Sequence, residues 1–365
     1  MAIKTLLNAL ETIKINRNIT ETTYSNYTRY ALYIYRIATG IDKHNSKTVQ
    51  QIKQIKYLQS EDTLNKLIEA VEKKTSLRAY LNTMFVLLEV IDPDSPLLLK
   101  IKAEITKINQ SEFKKSKYQL KSDKEEENWL SWGEVKKFYR DLTAQYAVIK
   151  KKKSIDTTDL EFIQKYTILS CYMLIPPRRL MDFARLYFVD DAHDLFPKDS
   201  GLKLSDLITV DEVLKQNNYV YKNTDKKFSF VFNQYKTSKL YGSQKFDMPF
   251  KLGRIFTYWF KVNRERLNLF YHQNTFPIHA PAVFLNSSGH PMSAVHIGKS
   301  LSSLFKKKFD KNISASMLRH IYVSHFLKDS RTLHDRQNVA KKMGHSPAIA
   351  EEVYRKLDGI DEKKK

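Results

Sequence analysis

The sequence predicts a mainly helical protein of the α+β class, with a small antiparallel β-sheet and two domains. Its 365 residues are enough for two hydrophobic cores of ordinary size. Apolar residues recur at helical spacing through the first 110 residues and again through the last hundred. Between these regions lie short β-prone runs with partial apolar and polar alternation, which is typical of half-buried strands.

Residues 1–110 are predicted to form an all-helical N-terminal domain. Helical periodicity is clearest from Leu64 to Val71 and from Leu77 to Leu88, and a turn at residues 92–96 precedes a further helix to Ile108. Tyrosines recur at roughly helical spacing in one segment: Tyr24, Tyr27, Tyr30, Tyr33 and Tyr35. Such a stripe is typical either of a platform for stacking bases or of a half-buried helix face, and we favour the helix face.

Residues 111–128, with the sequence SEFKKSKYQLKSDKEEEN, are predicted to be a charged linker. The segment has many charges, few aromatic residues and no apolar period, which is typical of a linker between domains. The second domain is therefore predicted over residues 129–365.

The second domain is predicted to be helical with a small sheet inside it. Two β-prone runs, 218–222 and 227–235, flank the turn sequence Asn223-Thr224-Asp225 and predict a β-hairpin, and 246–250 could add a third strand. Helices are predicted at 132–149, 156–175, 252–270, 294–309, 314–328, 333–343 and 349–357. The apolar run from Tyr166 to Ile175 indicates a central buried helix.

The composition favours a polyanionic partner. The formal net charge is +22, of which residues 1–127 carry +5 and residues 128–365 carry +17. Such an excess favours nucleic acid over an acidic membrane surface. The lone Cys171 excludes an internal disulfide and a zinc site built on cysteines, and His272, His279, His290 and His296 lack metal-ligand spacing. No secretory signal or membrane-spanning run is found, so we expect an intracellular protein without a membrane partner.

Four short segments contain the candidate catalytic residues. They are IPPRRLMDF (175–183), NQYKTSK (233–239), SMLRHIYVSH (316–325) and MGHSPAIAEEVY (343–354). Each alone has an ordinary explanation: surface charge, a hairpin lysine, a helix salt bridge or a helix cap. Their significance lies in their combination.

In this order and spacing, the segments resemble the catalytic domain of tyrosine recombinases, over roughly residues 128–360. That family has an arginine three residues before an acid, a lysine in a β-hairpin, a His-x-x-Arg helix, and a Gly-His pair followed nine residues later by the nucleophilic tyrosine. The resemblance implies that the catalytic residues are Arg179, Lys236, Arg319, His345 and the nucleophile Tyr354. It also implies that the first domain is a DNA-clamping, core-binding-like domain.

Two neighbours compete for these roles. Arg178 is the rival of Arg179, but only Arg179 keeps the three-residue spacing to Asp182, and Lys239 is the rival of Lys236. Asp182 is interpreted as a supporting residue that orients an arginine or a helix end, or else as a plain structural acid.

One position departs from the family pattern. Ser316 stands where a histidine is usual, three residues before Arg319. Because that histidine would help to accept the proton of the nucleophile, the identity of the general base is left open. His320, one helical turn later, is an alternative supporting residue, although its apolar neighbours favour a packed helix face.

The chemistry explains the residue types. Arginine forks match the non-bridging oxygens of a phosphodiester, and His345 would add a third donor. Lys236 would act as the general acid for the departing 5′ oxygen. The resemblance implies a 3′-phosphotyrosyl link to Tyr354, with no requirement for ATP, metal or another cofactor.

The predicted function is that of a site-specific recombinase or integrase, acting as a homotetramer on double-stranded DNA. The resemblance and the composition suggest a mobile element, either a DNA virus or its satellite, with the enzyme in the cytoplasm or nucleus of a host cell. Two alternatives stay open: a type IB topoisomerase, and a DNA-binding protein that has lost its chemistry, which Ser316 would support.

Overall fold

The computed structural model describes residues 5–42, 47–117, 119–184, 186–190, 208, 210–263, 280–328 and 331–357. The chain divides into two compact units, Met1–Tyr118 and Gln119–Lys365. Within the described ranges, no helix is both long and apolar enough to cross a membrane.

The first unit is all-helical in its described residues. It contains α1 (Leu6–Asn16), α2 (Glu21–Thr39), α3 (Glu61–Ala70), α4 (Lys74–Ile91) and α5 (Leu97–Lys117), with two short 3-10 turns at Val49–Gln51 and Lys56–Gln59. The tyrosine stripe lies on α2, where Tyr35 is buried and Tyr24, Tyr27 and Tyr33 pack against the core. Tyr30 and Tyr33 also contact the ring of Tyr80. These contacts favour the helix-face interpretation.

The segment predicted as a linker, 111–128, contains the boundary between the two units and is helical over most of its length. Helix α5 continues to Lys117, and α6 spans Asp123–Asn128. Lysine, glutamate and glutamine favour helix even where no apolar stripe marks it. Ser122 and Glu125 also form a reciprocal capping box at the start of α6.

The second unit surrounds one four-stranded sheet with helices. Its helices before and within the sheet region are α7 (Trp132–Ile149), α8 (Thr157–Met173), α9 (Leu180–Ala184), α10 (Ser238–Tyr241) and α11 (Phe250–Val262). After the sheet come α12 (Ala294–Phe309), α13 (Ala315–Phe326), α14 (Leu333–Met343) and the single turn α15 (Pro347–Ile349). The predicted helix 252–270 extends beyond the described residues, since 264–270 lie outside them.

The sheet is mixed rather than purely antiparallel. Its strands lie in the order β1 (Leu186–Asp190), β2 (Asn218–Lys222), β3 (Phe228–Phe232) and β4 (Gln244–Asp247). The predicted hairpin is β2 and β3, and the third strand begins two residues before the predicted 246–250 run. Strand β1, which the periodicity did not predict, pairs parallel with β2.

Helix α8 is the buried centre of this unit, as the apolar run predicts. Ten of its residues are buried, and Tyr166 stacks on Tyr139 and Tyr146 of α7. The residues Phe183, Phe230, Phe232 and Phe256 belong to the same core. This core positions α9, α13 and the sheet, the elements that carry the arginines and the hairpin lysine.

The chain after α15 does not continue as the predicted helix 349–357. A π-helical turn, Ala350–Tyr354, is followed by extended backbone at Arg355. The amide of Lys356 donates to Ser324 Oγ over 2.8 Å, and the amide of Leu357 donates to the Gln119 carbonyl over 2.9 Å. These long-range partners replace helical hydrogen bonds and end the helix at Tyr354.

Candidate active site

The second unit brings together Arg179, Arg319, His345 and Tyr354 from four separate places in the sequence. Arg179 immediately precedes α9, Arg319 lies inside α13, His345 follows α14, and Tyr354 ends the π-helical turn. Gly344 ends α14 with a left-handed backbone, φ +71°, which favours glycine. Ser346 then caps the next turn by accepting from the amide of Ile349.

The ring of Tyr354 is packed between cationic and imidazole groups. It is 9% exposed, and the guanidinium carbon of Arg319 lies 4.5 Å from its centroid. The ring of His345 stacks on it with centroids 5.0 Å apart and planes 23° apart. His320 lies on another side, 5.2 Å between centroids.

Arg319 is a buried cation with unused donors. It is 2% exposed, and its Nη1 donates to the Pro177 carbonyl over 2.7 Å. Within the described residues, no acceptor completes a hydrogen bond to its Nε or Nη2. Burial lowers the pKa of Arg319, while the neighbouring Tyr354 acts in the opposite direction. Unpaired buried donors of this kind are costly, by about 1–3 kcal/mol each, and can therefore bind an anion strongly.

His345 offers a second unused nitrogen. Its side chain is 3% exposed, and Nδ1 donates to the Ser346 carbonyl over 3.0 Å, which leaves the lone pair of the neutral ring on Nε2. No partner for Nε2 lies in the described part of the chain. Burial, helped by the nearby arginines, lowers the pKa of His345 to about 4.

This pKa makes a prediction about stability. The folded state keeps His345 neutral down to about pH 4, whereas in the unfolded chain the ring is protonated below about pH 6.5. The folded state is therefore fully stable above the unfolded pKa and loses stability as pH falls toward 4. At pH 5 the loss is about 2 kcal/mol. His345→Gln should therefore show a flatter pH dependence of the unfolding free energy between pH 7 and 5, measured by urea denaturation.

The matched control is His296→Gln, which replaces an exposed histidine and should retain the wild-type slope. All three tryptophans, Trp129, Trp132 and Trp259, lie in the second unit, so their fluorescence reports on the unit that contains His345. If the pH dependence of the unfolding free energy were the same in His345→Gln as in the wild type, the lowered pKa of His345 would be contradicted.

The two adjacent arginines have different environments. Arg178 is fully buried, and its guanidinium donates to Asp182 over 2.8 Å, to Gln244 over 2.9 Å and to the Lys342 carbonyl over 2.7 Å. Arg179 is half-buried, and its Nη1 donates to the Gly344 carbonyl over 3.0 Å. The Nε and Nη1 atoms of Arg178 are thus occupied by protein partners, and its buried Nη2 has none among the described residues, whereas Arg179 lies beside the turn that carries His345.

Asp182 is fully buried and pairs with Arg178 rather than with Arg179. Burial raises the pKa of the Asp182 carboxyl, and the charge of Arg178 opposes that shift. Asp182→Ala should destabilise the second unit by about 3–5 kcal/mol, because it leaves a buried guanidinium unpaired. Tryptophan fluorescence during urea unfolding measures the effect. Glu161→Ala, which removes the exposed partner of Lys165, should cost under about 1 kcal/mol, and an equal effect of the two substitutions would refute the prediction.

Ser316 and His320, both on α13, have different surroundings. Ser316 is exposed on the first turn of α13. His320 Nδ1 donates to the backbone carbonyl of Tyr354 over 3.0 Å, and its Nε2 lies 3.8 Å from a Glu125 carboxylate oxygen. Burial lowers the pKa of His320, and Glu125 opposes that shift. His320 therefore holds the main chain of Tyr354.

Lys236 is exposed and follows β3, at the end of the predicted hairpin, in the connection to β4. Its rival Lys239 is exposed on α10 in the same connection. The residue after Lys236 links this connection to the site, since Thr237 Oγ1 donates to the Gly344 carbonyl over 2.7 Å. Sequence periodicity held no signal for Thr237, because its partner lies 107 positions away.

Among the described residues, no group of three or more histidine, cysteine or acidic side chains is placed to hold a metal ion.

Comparisons with known proteins give distant likenesses among solved structures. No protein-family model matches the chain, and no curated protein matches it. Among solved structures, the chain is similar to the crystal structure of XerA recombinase, with a TM-score of 0.37 and 12% identity, covering 97% of this chain and 93% of that one. A TM-score this low establishes no common function, so any function must rest on the residues of the site.

Proposed function

We propose that the protein cleaves and rejoins DNA by transesterification, with Tyr354 as the nucleophile, as a site-specific recombinase or integrase. The observation that carries this proposal is the packing of Tyr354 against Arg319 and His345, whose buried Nε, Nη2 and Nε2 atoms have no hydrogen-bond partner among the described residues. A buried guanidinium with unpaired donors suits the oxygens of a phosphodiester, and a neutral imidazole beside the phenol suits removal of its proton.

Arg319 and Arg179 are proposed to bind the non-bridging oxygens of the phosphate. Charge develops on these oxygens as the phosphorus is attacked, and guanidinium forks can donate two directed hydrogen bonds each. Arg319 has two unused nitrogen donors, and Arg179 uses Nη1 on the Gly344 carbonyl. Arg178 uses Nε and Nη1 on protein acceptors and is proposed to stabilise the site by linking Asp182, Gln244 and the Lys342 carbonyl.

His345 is proposed to act through Nε2, first as a proton acceptor and then as a hydrogen-bond donor to this phosphate. In the neutral ring Nε2 carries the lone pair and can accept the proton of Tyr354. The resulting imidazolium would then donate to a phosphate oxygen, whose negative charge favours the protonated ring. This path needs neither a histidine at position 316 nor the His320 ring, which is bound to the Tyr354 carbonyl.

Double-stranded DNA is the proposed partner, and a homotetramer on two duplexes is the proposed assembly. The excess charge of +17 in residues 128–365 supports a polyanionic substrate. Binding should weaken steeply with salt, because condensed cations are released from DNA when lysines and arginines replace them. The proposed setting, on the resemblance alone, is integration or excision of mobile or viral DNA.

The test is covalent capture from a pool of nicked duplexes of random sequence, in the presence of a chelator. Recombinase activity predicts a denaturant-resistant protein–DNA adduct, enriched for one sequence and joined through a 3′ phosphate. A topoisomerase would relax supercoiled plasmid efficiently as a monomer with no sequence enrichment. A protein that binds DNA without any adduct under these conditions would refute the proposal.

A further inference from the structure

Lys236 lies between two neighbours that are both tied down. The hydroxyl of Tyr235, a buried residue, donates to the Gly242 carbonyl over 2.7 Å and so closes the connection between β3 and β4. Thr237 Oγ1 donates to the Gly344 carbonyl over 2.7 Å. The main chain at Lys236 is therefore held on both sides, while its side chain is exposed.

The Gly344 carbonyl is a junction of the site. It accepts from Thr237 and, over 3.0 Å, from Arg179 Nη1, and it directly precedes His345. The glycine is closely surrounded, since a Cβ there would lie 3.2 Å from Arg178 Nη2 and 3.3 Å from the Tyr235 ring. The Gly344 carbonyl oxygen thus links the connection that carries Lys236, the Arg179 side chain and the turn that carries His345.

We infer that Thr237 is a positioning residue, which fixes the Lys236 connection in register with Arg179 and His345 so that the ammonium reaches the leaving group. The inference rests on the proposed function. In the cleavage step, the Tyr354 oxygen bonds to phosphorus, the bond from phosphorus to the 5′ oxygen breaks, and Lys236 gives that oxygen a proton to form a 5′-hydroxyl.

Position matters because the proton must arrive as the bond breaks. General acids contribute about 10²–10⁴-fold to such rates, and a misplacement of about 1 Å can cost about 10²-fold. Losing the Thr237 hydroxyl removes the side-chain link to Gly344, but Arg179 keeps its own bond to that carbonyl. We therefore expect Thr237→Val to slow proton donation by Lys236 and to leave phosphate binding unchanged.

The experiment compares two versions of the duplex captured by the wild-type protein, with oxygen or sulfur at the 5′ bridging position of the mapped cleavage site. A thiol has a pKa near 8–9 and an alcohol one near that of water, so sulfur leaves without a proton donor. On the oxygen duplex, Thr237→Val should cleave at least about tenfold more slowly than wild type, and Thr237→Ser should stay near wild type. On the sulfur duplex, Thr237→Val and Lys236→Ala should both return to within about threefold of wild type, with Lys239→Ala unaffected on either duplex.

Two results would overturn the inference while leaving the proposed function standing. One is an equal loss for Thr237→Val on both duplexes, which would place its role in phosphate binding or folding. The other is a Lys236→Ala variant that sulfur does not rescue, which would remove Lys236 as the acid. If the wild-type protein captures no duplex in the first place, the proposed function itself fails, and this inference with it.

Discussion

Tyr354→Phe is expected to abolish covalent capture of DNA while DNA binding stays within about twofold of wild type. The substitution removes one oxygen, the proposed nucleophile, and keeps the ring that packs against Arg319 and His345. The measurement is a denaturing gel of the captured adduct beside an equilibrium binding assay on the same duplex.

Tyr322→Phe is the matched control. Tyr322 is half-buried on α13, beside Trp132, and its hydroxyl has no proposed role in the reaction. It should capture DNA as wild type does. Capture that persists in Tyr354→Phe would show that another residue is the nucleophile.

Arg319→Lys is expected to lower the rate of DNA cleavage by about 10²–10³-fold, the usual cost of removing one directed donor from a stabilised oxyanion. Lysine keeps the positive charge, but it has no planar fork for phosphate oxygens. Single-turnover cleavage of the captured duplex measures the effect.

Arg254→Lys provides the control, because Arg254 is exposed on α11 and belongs to no proposed contact with the phosphate. Its cleavage rate should be unchanged. Tryptophan fluorescence during urea unfolding establishes that Arg319→Lys is folded at the assay temperature. A folded Arg319→Lys variant that cleaves within about threefold of wild type would exclude Arg319 from the proposed phosphate site.

Local pattern predicted most helices and the β2–β3 hairpin, because these depend on neighbours within a few residues. Long-range pairing decided what was missed. Strand β1 forms through its parallel register with β2, 32 positions later in the chain. The helix expected to Leu357 ends at Tyr354 because Ser324 and Gln119 bind the next amides.

The same distinction holds for the candidate site. Motif spacing singled out Arg179 over Arg178, and the two side chains do differ, since Arg178 is enclosed by Asp182, Gln244 and the Lys342 carbonyl. Spacing could not show that His320 bonds to the Tyr354 carbonyl or that Thr237 bonds to Gly344. Such contacts arise only when distant segments fold together.

The most direct test of the proposed chemistry is to map the amino acid that carries the DNA. After capture, nuclease and trypsin should yield the peptide from Met343 to Arg355, which contains a single tyrosine, with a nucleotide attached. Fragmentation by mass spectrometry is expected to place a nucleotide, joined through its 3′ phosphate, on Tyr354. A nucleotide on any other residue, or DNA cleaved by the protein with no covalent adduct, would contradict the assignment of Tyr354 as the nucleophile.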